Sequence, residues 1–577
     1  MTDLIVSAEP RTIAYFSMDV AIDSAIPTYS GGLGILAGDM LHSAADLGLP
    51  MVAVSLLHRK GYFDQRLDAQ GNQLESPSKW SPENRLDVLP PRVSVVIEGR
   101  TVYVQAWQYL FHGINGHAVP IFFLDTALDE NDPRDRVLTD HLYGGDERYR
   151  LCQEVVLGFG GVAMLRALGH SQIRIFHMNE GHSALITLAL LEERRQAQPD
   201  NAYTEAEVDT VRRQCVFTTH TPVPAGHDRF PASLVAEVSG EARLAALEQL
   251  KVINGELNMT DLALRFSGFV NGVSMRHGQV SRGMFPGYDV EAITNGVHAV
   301  AWTSSPFCAL FDRTIPEWRG DNLYLRYAVG IPLGEIRQAH LQAKKDLLQR
   351  VRWLTGTQLG EKVFTLGFAR RATGYKRADL LFTDLERLKN ISRQSGPLQL
   401  IYAGKAHPRD EGGKAIIRRI FEAAAALAND VRVVYLENYD MALGKLVCSG
   451  VDLWLNTPLR PLEASGTSGM KAALNGVPSL SVLDGWWIEG HIEGVTGWSI
   501  GDSIGFENDS AAEAISLYDK LEKTILPLFY NEPEKFACVM RSAIALNGSF
   551  FNTQRMIFQY VRNAYRPAFG QSARPLA

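Results

Sequence analysis

The sequence predicts an α/β fold made of two Rossmann-like, doubly wound domains that face a central cleft. Three observations support this class. The 577 residues exceed what one hydrophobic core usually holds, so at least two domains are expected. Short apolar runs alternate with helix-like segments in both halves of the chain. Charged and aromatic residues follow these runs, at the strand ends where α/β sheets bind ligands.

The second half shows the pattern most clearly. Amphipathic segments such as 415–430 separate its apolar runs, which favours a parallel sheet covered by helices on both faces. The runs that predict strands are 363–369, 398–404, 431–437, 451–457 and 478–484.

The first half is less regular but has the same character. An amphipathic helix is expected at 181–198, and segments 93–99 and 101–110 are expected to form an antiparallel insertion. The remaining predicted strands are 12–18, 50–56, 119–124, 173–178 and 215–219.

The joint between the two domains is expected near residues 293–302. We therefore expect an N-terminal domain at 1–297, with the glycine-rich loop, and a C-terminal domain at 298–577. The last segment, 552–569, is predicted to be a helix that packs back across the joint.

Composition excludes several classes of function. The net charge of −7 argues against bulk attraction to nucleic acid or an anionic membrane. The five cysteines lie far apart without a CxxC pair, so reduced thiols are expected rather than disulfides or a zinc site. No signal-like apolar core and no run of 18 apolar residues occurs, so a cytoplasmic protein is expected.

The segment EASGTSGMKAALNG, residues 463–476, places a lysine among apolar residues. A helix should start near Thr467 or Ser468 and stop at Gly476, with Lys471 in its first turn. A helix start favours an anion, so a lysine there opposes the helix dipole. Two interpretations remain: a surface lysine that snorkels out, or an amine of lowered pKa that forms a Schiff base or meets a phosphate.

Four cations, Arg370, Arg371, Lys376 and Arg377, occupy one loop after a predicted strand. Arginine binds phosphate as a fork and lysine binds it as a point charge. The loop is therefore either a phosphate site or a solvated basic surface.

The segment YSGGLGILAGD matches the dinucleotide pattern G-x-G-x-x-A at Gly32, Gly34 and Ala37. The preceding strand ends well before it, and the next strand runs into LLHRK without the acidic residue that binds ribose, so a dinucleotide is not favoured. A glycine-rich turn at a helix start remains, where backbone amides can approach an anion or a sugar oxygen.

Polar residues after other predicted strands are candidates for the same cleft. His182, His220 and Asn295 fall in HMNEGHSAL, FTTHTPVPAGH and TNGVH. Each histidine is either a structural hydrogen-bonding group or a site residue. Neither HExxH nor GxSxG occurs, so no metal site and no serine nucleophile is predicted.

These motifs together resemble the α-glucan phosphorylase family, which includes glycogen, starch and maltodextrin phosphorylases. The resemblance runs from about residue 12 to the end. EASGTSGMKAALNG resembles the family's pyridoxal-phosphate lysine motif, RRATGYKR its phosphate-binding loop, and SGGLGILAGDMLHSAADLGLP its glycine loop. THTPVP, TNGVH and YLENYD resemble three further segments in the same order.

The resemblance implies a role for each matching residue. Lys471 would hold pyridoxal 5'-phosphate covalently. The other implied cofactor contacts are Arg370, Thr467, Ser468 and Tyr439. The implied contacts of the substrate phosphate are Arg371, Lys376 and Gly32. The implied glucose contacts are Leu33, His220, Asn295, Glu463, Ser465 and Gly466. The implied catalytic residues are Lys471, Arg371, Lys376 and His220, and His182 would line the cleft.

The implied reaction is the reversible phosphorolysis of α-1,4-glucans to α-D-glucose 1-phosphate with retention of configuration. The cofactor phosphate would relay a proton, and no metal would be needed. The implied architecture is the GT-B glycosyltransferase type, and a homodimer is the usual assembly. The partners would be glucan, phosphate and glucose 1-phosphate, without nucleic acid or membrane.

The sequence departs from the family pattern at three places. The chain starts almost at the first core strand, so allosteric regulation through an N-terminal extension is expected to be absent. The family's tyrosine near the cofactor ring falls at Ala21. Trp486 and Trp487 replace smaller residues and would either lie near the cleft, stacking on sugar, or belong to the core. The compact chain favours short maltodextrins.

Two other functions stay open on the sequence. One is a nucleotide-sugar-dependent retaining glucosyltransferase similar to glycogen synthase, although Lys471 stands where the second glutamate of that class is expected after Glu463. The other is a non-catalytic glucan-binding relative.

Overall fold

The computed structural model describes residues 10–195, 203–223, 226–501, 505 and 507–566. Its strands are β1 Ile13–Ser17, β2 Met51–Leu56, β3 Asp64–Leu67, β4 Gln73–Ser76, β5 Asp87–Ile97, β6 Arg100–His112, β7 Ala118–Asp125, β8 Ile175–Asn179, β9 Cys215–Thr218, β10 Arg229–Pro231, β11 Ile253–Asn254, β12 Glu256–Asn258, β13 Phe269–Gly272, β14 Glu291–Ala292, β15 Phe364–Ala369, β16 Leu398–Ala403, β17 Arg432–Leu436, β18 Leu453–Asn456, β19 Ser479–Val482 and β20 Gly497–Ile500.

Helices connect these strands. They are α1 Gly32–Asp46, α2 Pro133–Arg136, α3 Glu147–Val155, α4 Gly161–Ala167, α5 Leu185–Arg195, α6 Glu205–Gln214, α7 Ala232–Ser239, α8 Glu241–Gln249, α9 Met259–Arg265, α10 Met275–Met284, α11 Ala299–Trp302, α12 Ser305–Thr314, α13 Leu333–Thr355, α14 Leu385–Gln394, α15 Glu411–Leu427, α16 Met441–Gly450, α17 Ser468–Leu474, α18 Trp487–Gly490, α19 Ser510–Lys520, α20 Leu526–Asn531, α21 Pro533–Ser542 and α22 Thr553–Asn563.

The first half of the chain forms a nine-stranded sheet in the order β14-β13-β9-β8-β1-β2-β7-β6-β5. Its central strands are parallel, as in the pairings of β1 with β2 and β8. The predicted antiparallel insertion is confirmed, because β5 pairs with β6 and β6 with β7 in antiparallel register. It extends the edge of the main sheet.

The second half forms a six-stranded sheet in the order β17-β16-β15-β18-β19-β20, and every pairing in it is parallel. All five strands predicted here are confirmed within one or two residues at each end. The order reverses between β15 and β18, a point at which ligands bind in open α/β sheets.

Each sheet separates two hydrophobic cores. In β1, Ile13 and Tyr15 join one cluster while Ala14 and Phe16 join the other, since alternate side chains point to opposite faces. The second sheet behaves in the same way. Both sheets are thus covered on both faces, which explains their continuous apolar runs. The molecule is a mixed α/β protein with two largely parallel sheets.

The C-terminal helix packs back onto the first half, as predicted. The Tyr560 hydroxyl on α22 lies 3.0 Å from the hydroxyl of Thr218 and accepts from the Asn271 amide at 3.0 Å. Ser43 on α1 and Thr553 share a hydrogen bond of 2.5 Å. Residues 567–569 of the predicted segment lie outside the described residues, as do residues 196–198 of the helix predicted at 181–198.

A hairpin that the sequence analysis did not predict, β3–β4, reaches from the first half to the second. The Gln65 backbone amide donates to Asn438 Oδ1 at 3.1 Å, and the Ala406 amide donates to Gln73 Oε1 at 3.0 Å. Lys405 donates to the Phe63 carbonyl at 2.7 Å. These contacts join the two halves beside the groove between the sheets.

All five cysteines are free thiols. Within the described ranges, no helix combines the length and the apolar character that a membrane crossing requires.

Candidate active site

A cavity of about 830 Å³ lies between the two halves, at the carboxyl ends of strands from both sheets. Its wall carries every residue to which the family resemblance assigns a role. These are Gly32, Leu33, His182, His220, Asn295, Arg370, Arg371, Lys376, Tyr439, Glu463, Ser465, Gly466, Thr467, Ser468 and Lys471. The structure thus places these residues on one cavity, whereas the role of each residue stays a prediction.

Glu463 is the centre of a buried charge cluster. Its carboxylate lies 2.7 and 2.8 Å from Lys376 Nζ and 2.7 Å from Arg370. Burial raises the pKa of Glu463, but the charges of Arg370 and Lys376 outweigh burial, so that the pKa is lowered overall. The carboxylate therefore stays ionised and fixes both cations at the cavity wall.

The other two cations of this loop differ from each other. Arg371 is exposed to the cavity and makes no ion pair with a described residue. Arg377 is buried, and its guanidinium donates to the carbonyls of Thr457 and Pro458 and pairs with Glu513. The prediction that all four cations could bind phosphate is therefore wrong for Arg377, which anchors the loop instead.

The glycine-rich loop leads into α1, as predicted, and Asp19 holds the loop by hydrogen bonds. The Ser30 amide donates to Asp19 Oδ2 at 3.2 Å, and the Tyr143 hydroxyl donates to Oδ1 at 3.1 Å. A Cβ on Gly34 would lie 2.6 Å from Asp19 Oδ2, whereas one on Gly32 would meet nothing within 4 Å. Gly34 thus allows the close approach to Asp19, while Gly32 leaves its backbone accessible from the cavity.

Asp19 predicts a pH dependence of stability. Burial raises the pKa of Asp19 to about 6, so between about pH 4 and pH 6 the folded state holds a proton that the unfolded state has lost. The contribution of Asp19 to stability therefore falls by about 3 kcal/mol as pH rises through this interval. Asp19→Asn should remove this decline from the melting-temperature profile. Asp23→Asn, an exposed carboxylate of the same segment, is the control, and identical profiles for both variants would contradict the expectation.

His220 is held by two residues at the carboxyl end of β8, Asn179 within the strand and Glu180 just after it. Its backbone amide donates to Glu180 Oε2 at 2.7 Å, and its Nε2 lies 2.7 Å from Asn179 Oδ1. Because the Asn179 amide nitrogen donates to Ser17, its oxygen faces the ring and His220 Nε2 is the donor. Burial lowers the pKa of His220 to about 3, so the ring is neutral near pH 7.

Lys471 lies at the base of the cavity with 6% of its surface exposed. The helix around it, α17, begins at Ser468, as predicted, and ends at Leu474, two residues before the predicted stop at Gly476. The amine lies 3.7 Å from the centre of the Trp302 ring. Burial lowers the pKa of Lys471, although the charges of Asp39 and Cys448 oppose this effect. The snorkelling interpretation is therefore wrong.

Four buried polar atoms on the cavity wall have no hydrogen-bond partner among the described residues. Two belong to histidines, His182 Nδ1 and His227 Nε2, and the other two are Asn295 Oδ1 and Ser465 Oγ. Because buried polar groups in proteins are nearly always paired, such atoms at a cavity suggest a polar ligand. Asn295 and Ser465 had been selected as glucose contacts.

The two tryptophans after β19 belong to the core. Trp486 and Trp487 are 2% and 1% exposed, and Trp486 packs against Phe551 and Gly469. Of the two alternatives left open for them, the core position is confirmed and the position that stacks on sugar in the cleft is wrong. Ala21 is buried as well, with its carbonyl 1.8 Å from where a Cβ on Gly38 would be.

The sequence analysis missed several cavity residues. Tyr29 lies on the wall, and its hydroxyl accepts from the Met441 amide of the second half at 3.0 Å. Lys405 is a second cavity lysine, and burial lowers its pKa to about 8. Further examples are Tyr62, Tyr143, Arg150, Glu180, Asp228, His407 and Arg409. Lys405 and Glu180 follow predicted strands, so their positions were a usable signal.

The chain matches the family model described as Carbohydrate phosphorylase over residues 227–495, a range that includes Arg371, Glu463 and Lys471. It is also similar along nearly its whole length to named phosphorylases. It is 39% identical to the maltodextrin phosphorylase of Thermococcus litoralis, covering 97% of this chain and 71% of the relative.

The glycogen phosphorylase of Mycobacterium tuberculosis is 37% identical, over 97% of this chain and 71% of the relative. The glycogen phosphorylase of Aquifex aeolicus is 34% identical, over 96% of this chain and 86% of the relative. This chain thus belongs to the carbohydrate phosphorylase family and is shorter than these relatives.

Proposed function

We propose that the protein catalyses the reversible phosphorolysis of α-1,4-glucans, of the maltodextrin or glycogen kind, to α-D-glucose 1-phosphate with retention of configuration. The observation that carries this proposal is the convergence of a buried amine, Lys471, and three cations on one cavity. Membership of the phosphorylase family supports it.

Pyridoxal 5'-phosphate is the proposed cofactor, held covalently by Lys471. The residues present fit such a group, because the amine is buried, has a lowered pKa and faces the cavity. Arg370, Thr467, Ser468 and Tyr439 would surround it. When bound, the cofactor supplies a phosphate that titrates near neutrality and can exchange a proton with the leaving oxygen.

Arg371 and Lys376 would bind the substrate phosphate, together with the backbone of Gly32. Arg370 and Lys376 share the carboxylate of Glu463, and Arg371 makes no ion pair with a described residue, so these three cations and Glu463 together leave an excess of positive charge. That excess would offset the repulsion between two phosphates brought together at low dielectric.

The glucosyl unit would be held by hydrogen bonds to its hydroxyl groups. Asn295 Oδ1 and Ser465 Oγ supply unpaired polar atoms, and Leu33, Glu463 and Gly466 line the same wall. The neutral His220 would place its backbone carbonyl beside the reacting carbon without adding a second positive charge there.

We also propose that the two sheets are two Rossmann-like domains, 1–297 and 298–577, in a GT-B arrangement, and that the chain forms a homodimer. Among the strands that the structure describes, none of β1–β14 pairs with any of β15–β20, which supports the division. Light scattering of the purified chain tests the dimer.

The decisive assay is a substrate panel from maltose to glycogen, each incubated with phosphate. Release of glucose 1-phosphate, with a preference for short maltodextrins, is the expected result. Activity with ADP-glucose or UDP-glucose and none with glucose 1-phosphate would point to a nucleotide-sugar transferase. Glucan binding without turnover would point to a non-catalytic relative. Either result would contradict the proposal.

A further inference from the structure

The buried carboxylate of Asp39 contacts Trp302, the same tryptophan that the Lys471 amine contacts. Asp39 is on α1, seven residues after Gly32, and only 2% of its surface is exposed. The indole N–H of Trp302 donates to both of its oxygens, each at 2.9 Å. The ring of the same indole lies beneath the Lys471 amine, 3.7 Å away. One tryptophan therefore connects the helix of the glycine loop to the lysine.

Among the described residues, few titratable groups interact with Lys471 and Asp39. Asp39 and Cys448 are the titratable groups whose charges raise the pKa of Lys471 against the effect of burial. Burial raises the pKa of Asp39, while the charges of Lys471 and His298 and the hydrogen bond from Trp302 oppose this effect and favour the ionised carboxylate. A buried ammonium without an opposite charge is strongly disfavoured. Of the two groups that raise the pKa of Lys471, Asp39 is the carboxylate and can supply that opposite charge.

We propose that Asp39 is a positioning residue for Lys471. Its carboxylate holds the Trp302 indole against the amine and balances the ammonium charge. The inference rests on the proposed function, in which the Lys471 amine takes up an aldehyde cofactor. The position of Asp39 within the helix of the glycine loop also ties the geometry of that loop to the geometry of the lysine.

The alternative is that Asp39 only stabilises the packing of α1 on α11. The same helix offers a matched control, because Asp46 is a second buried carboxylate and accepts from His298 Nε2 at 2.9 Å. Asp46 thus faces the same segment of chain without touching Trp302. Asp46→Asn should reproduce a packing defect but not a change in Lys471.

The test is the reactivity of Lys471 in the full-length chain, freed of any bound aldehyde. Reductive methylation with formaldehyde and cyanoborohydride is followed by mass spectrometry of the Lys471 peptide across pH. Asp39→Asn keeps the size of the side chain and an oxygen for the indole N–H. The variant should lower the pH midpoint of Lys471 methylation by about one unit. Below the midpoint, methylation should therefore be roughly tenfold faster than in the unchanged protein. Asp46→Asn should leave the midpoint in place.

A second measurement tests the contact through Trp302. Trp302→Phe keeps a ring beneath the amine but removes the N–H donor. If Asp39 acts through that donor, the effects of Asp39→Asn and Trp302→Phe on pyridoxal-phosphate affinity, measured by absorbance, should be less than additive.

A midpoint unchanged in Asp39→Asn, an equal shift in Asp46→Asn, or strictly additive effects in the double variant would overturn the inference. Formaldehyde labelling needs no cofactor, so it stays informative if the proposed function fails. Failure of the proposed function would show separately, as an unsubstituted Lys471 that takes no pyridoxal phosphate.

Discussion

Lys471→Ala is expected to lower phosphorolysis by at least roughly 10²–10⁴-fold, the usual contribution of a placed proton-transfer group. The change removes the only proposed covalent anchor of the cofactor. The fold should persist, because Ala is favourable in a helix and the amine makes no ion pair within the described part of the chain. Glucose 1-phosphate release and the far-ultraviolet circular dichroism spectrum are the measurements.

Two matched variants distinguish covalent attachment of the cofactor from the positive charge of the Lys471 side chain. Lys471→Arg keeps a cation over Trp302 but offers no primary amine, so it should be as inactive as Lys471→Ala. Lys405→Ala removes the other cavity lysine of lowered pKa and should keep the cofactor bound. An active Lys471→Ala or Lys471→Arg enzyme without bound cofactor would contradict the mechanism.

Arg371→Ala is expected to raise the KM for phosphate and to lower kcat/KM by roughly 10²-fold. That corresponds to losing charge-assisted hydrogen bonds worth about 3 kcal/mol. Arg371 is exposed to the cavity, so the melting temperature should change little. Initial rates at varied phosphate and fixed maltodextrin measure the effect.

The control for Arg371 is Arg409, another exposed cation on the same cavity wall. Arg409→Ala removes the same charge without a proposed phosphate contact. Equal losses in the two variants would mean that only the general positive potential of the cleft matters, and this result would contradict the assigned role of Arg371.

The central strands were predictable because they are buried on both faces. Runs such as 363–369 and 398–404 are predominantly apolar, and they form β15 and β16 with little error at the ends. The short strands β13 and β20 and the hairpin β3–β4 lack such runs. Their pairing depends on partners far away in the sequence, such as Asn438 for Gln65.

The candidate site was predictable to the extent that ligand residues follow strands. Arg371 and Asn295 reach the cavity in this way after β15 and β14, whereas Lys471 reaches it from helix α17. Arg377 is indistinguishable in sequence from its neighbours, and only the positions of Glu513 and Pro458 make it structural. The contact of Asp39 with Trp302 spans 263 residues, so no local pattern reveals it.

The proposed chemistry depends on Lys471 carrying pyridoxal phosphate. Borohydride reduction of the purified protein, followed by peptide mass spectrometry that resolves the Lys471 and Lys405 peptides from each other, measures this attachment. We expect one pyridoxyl phosphate per chain on Lys471. A label on Lys405, or no label at all, would contradict this expectation.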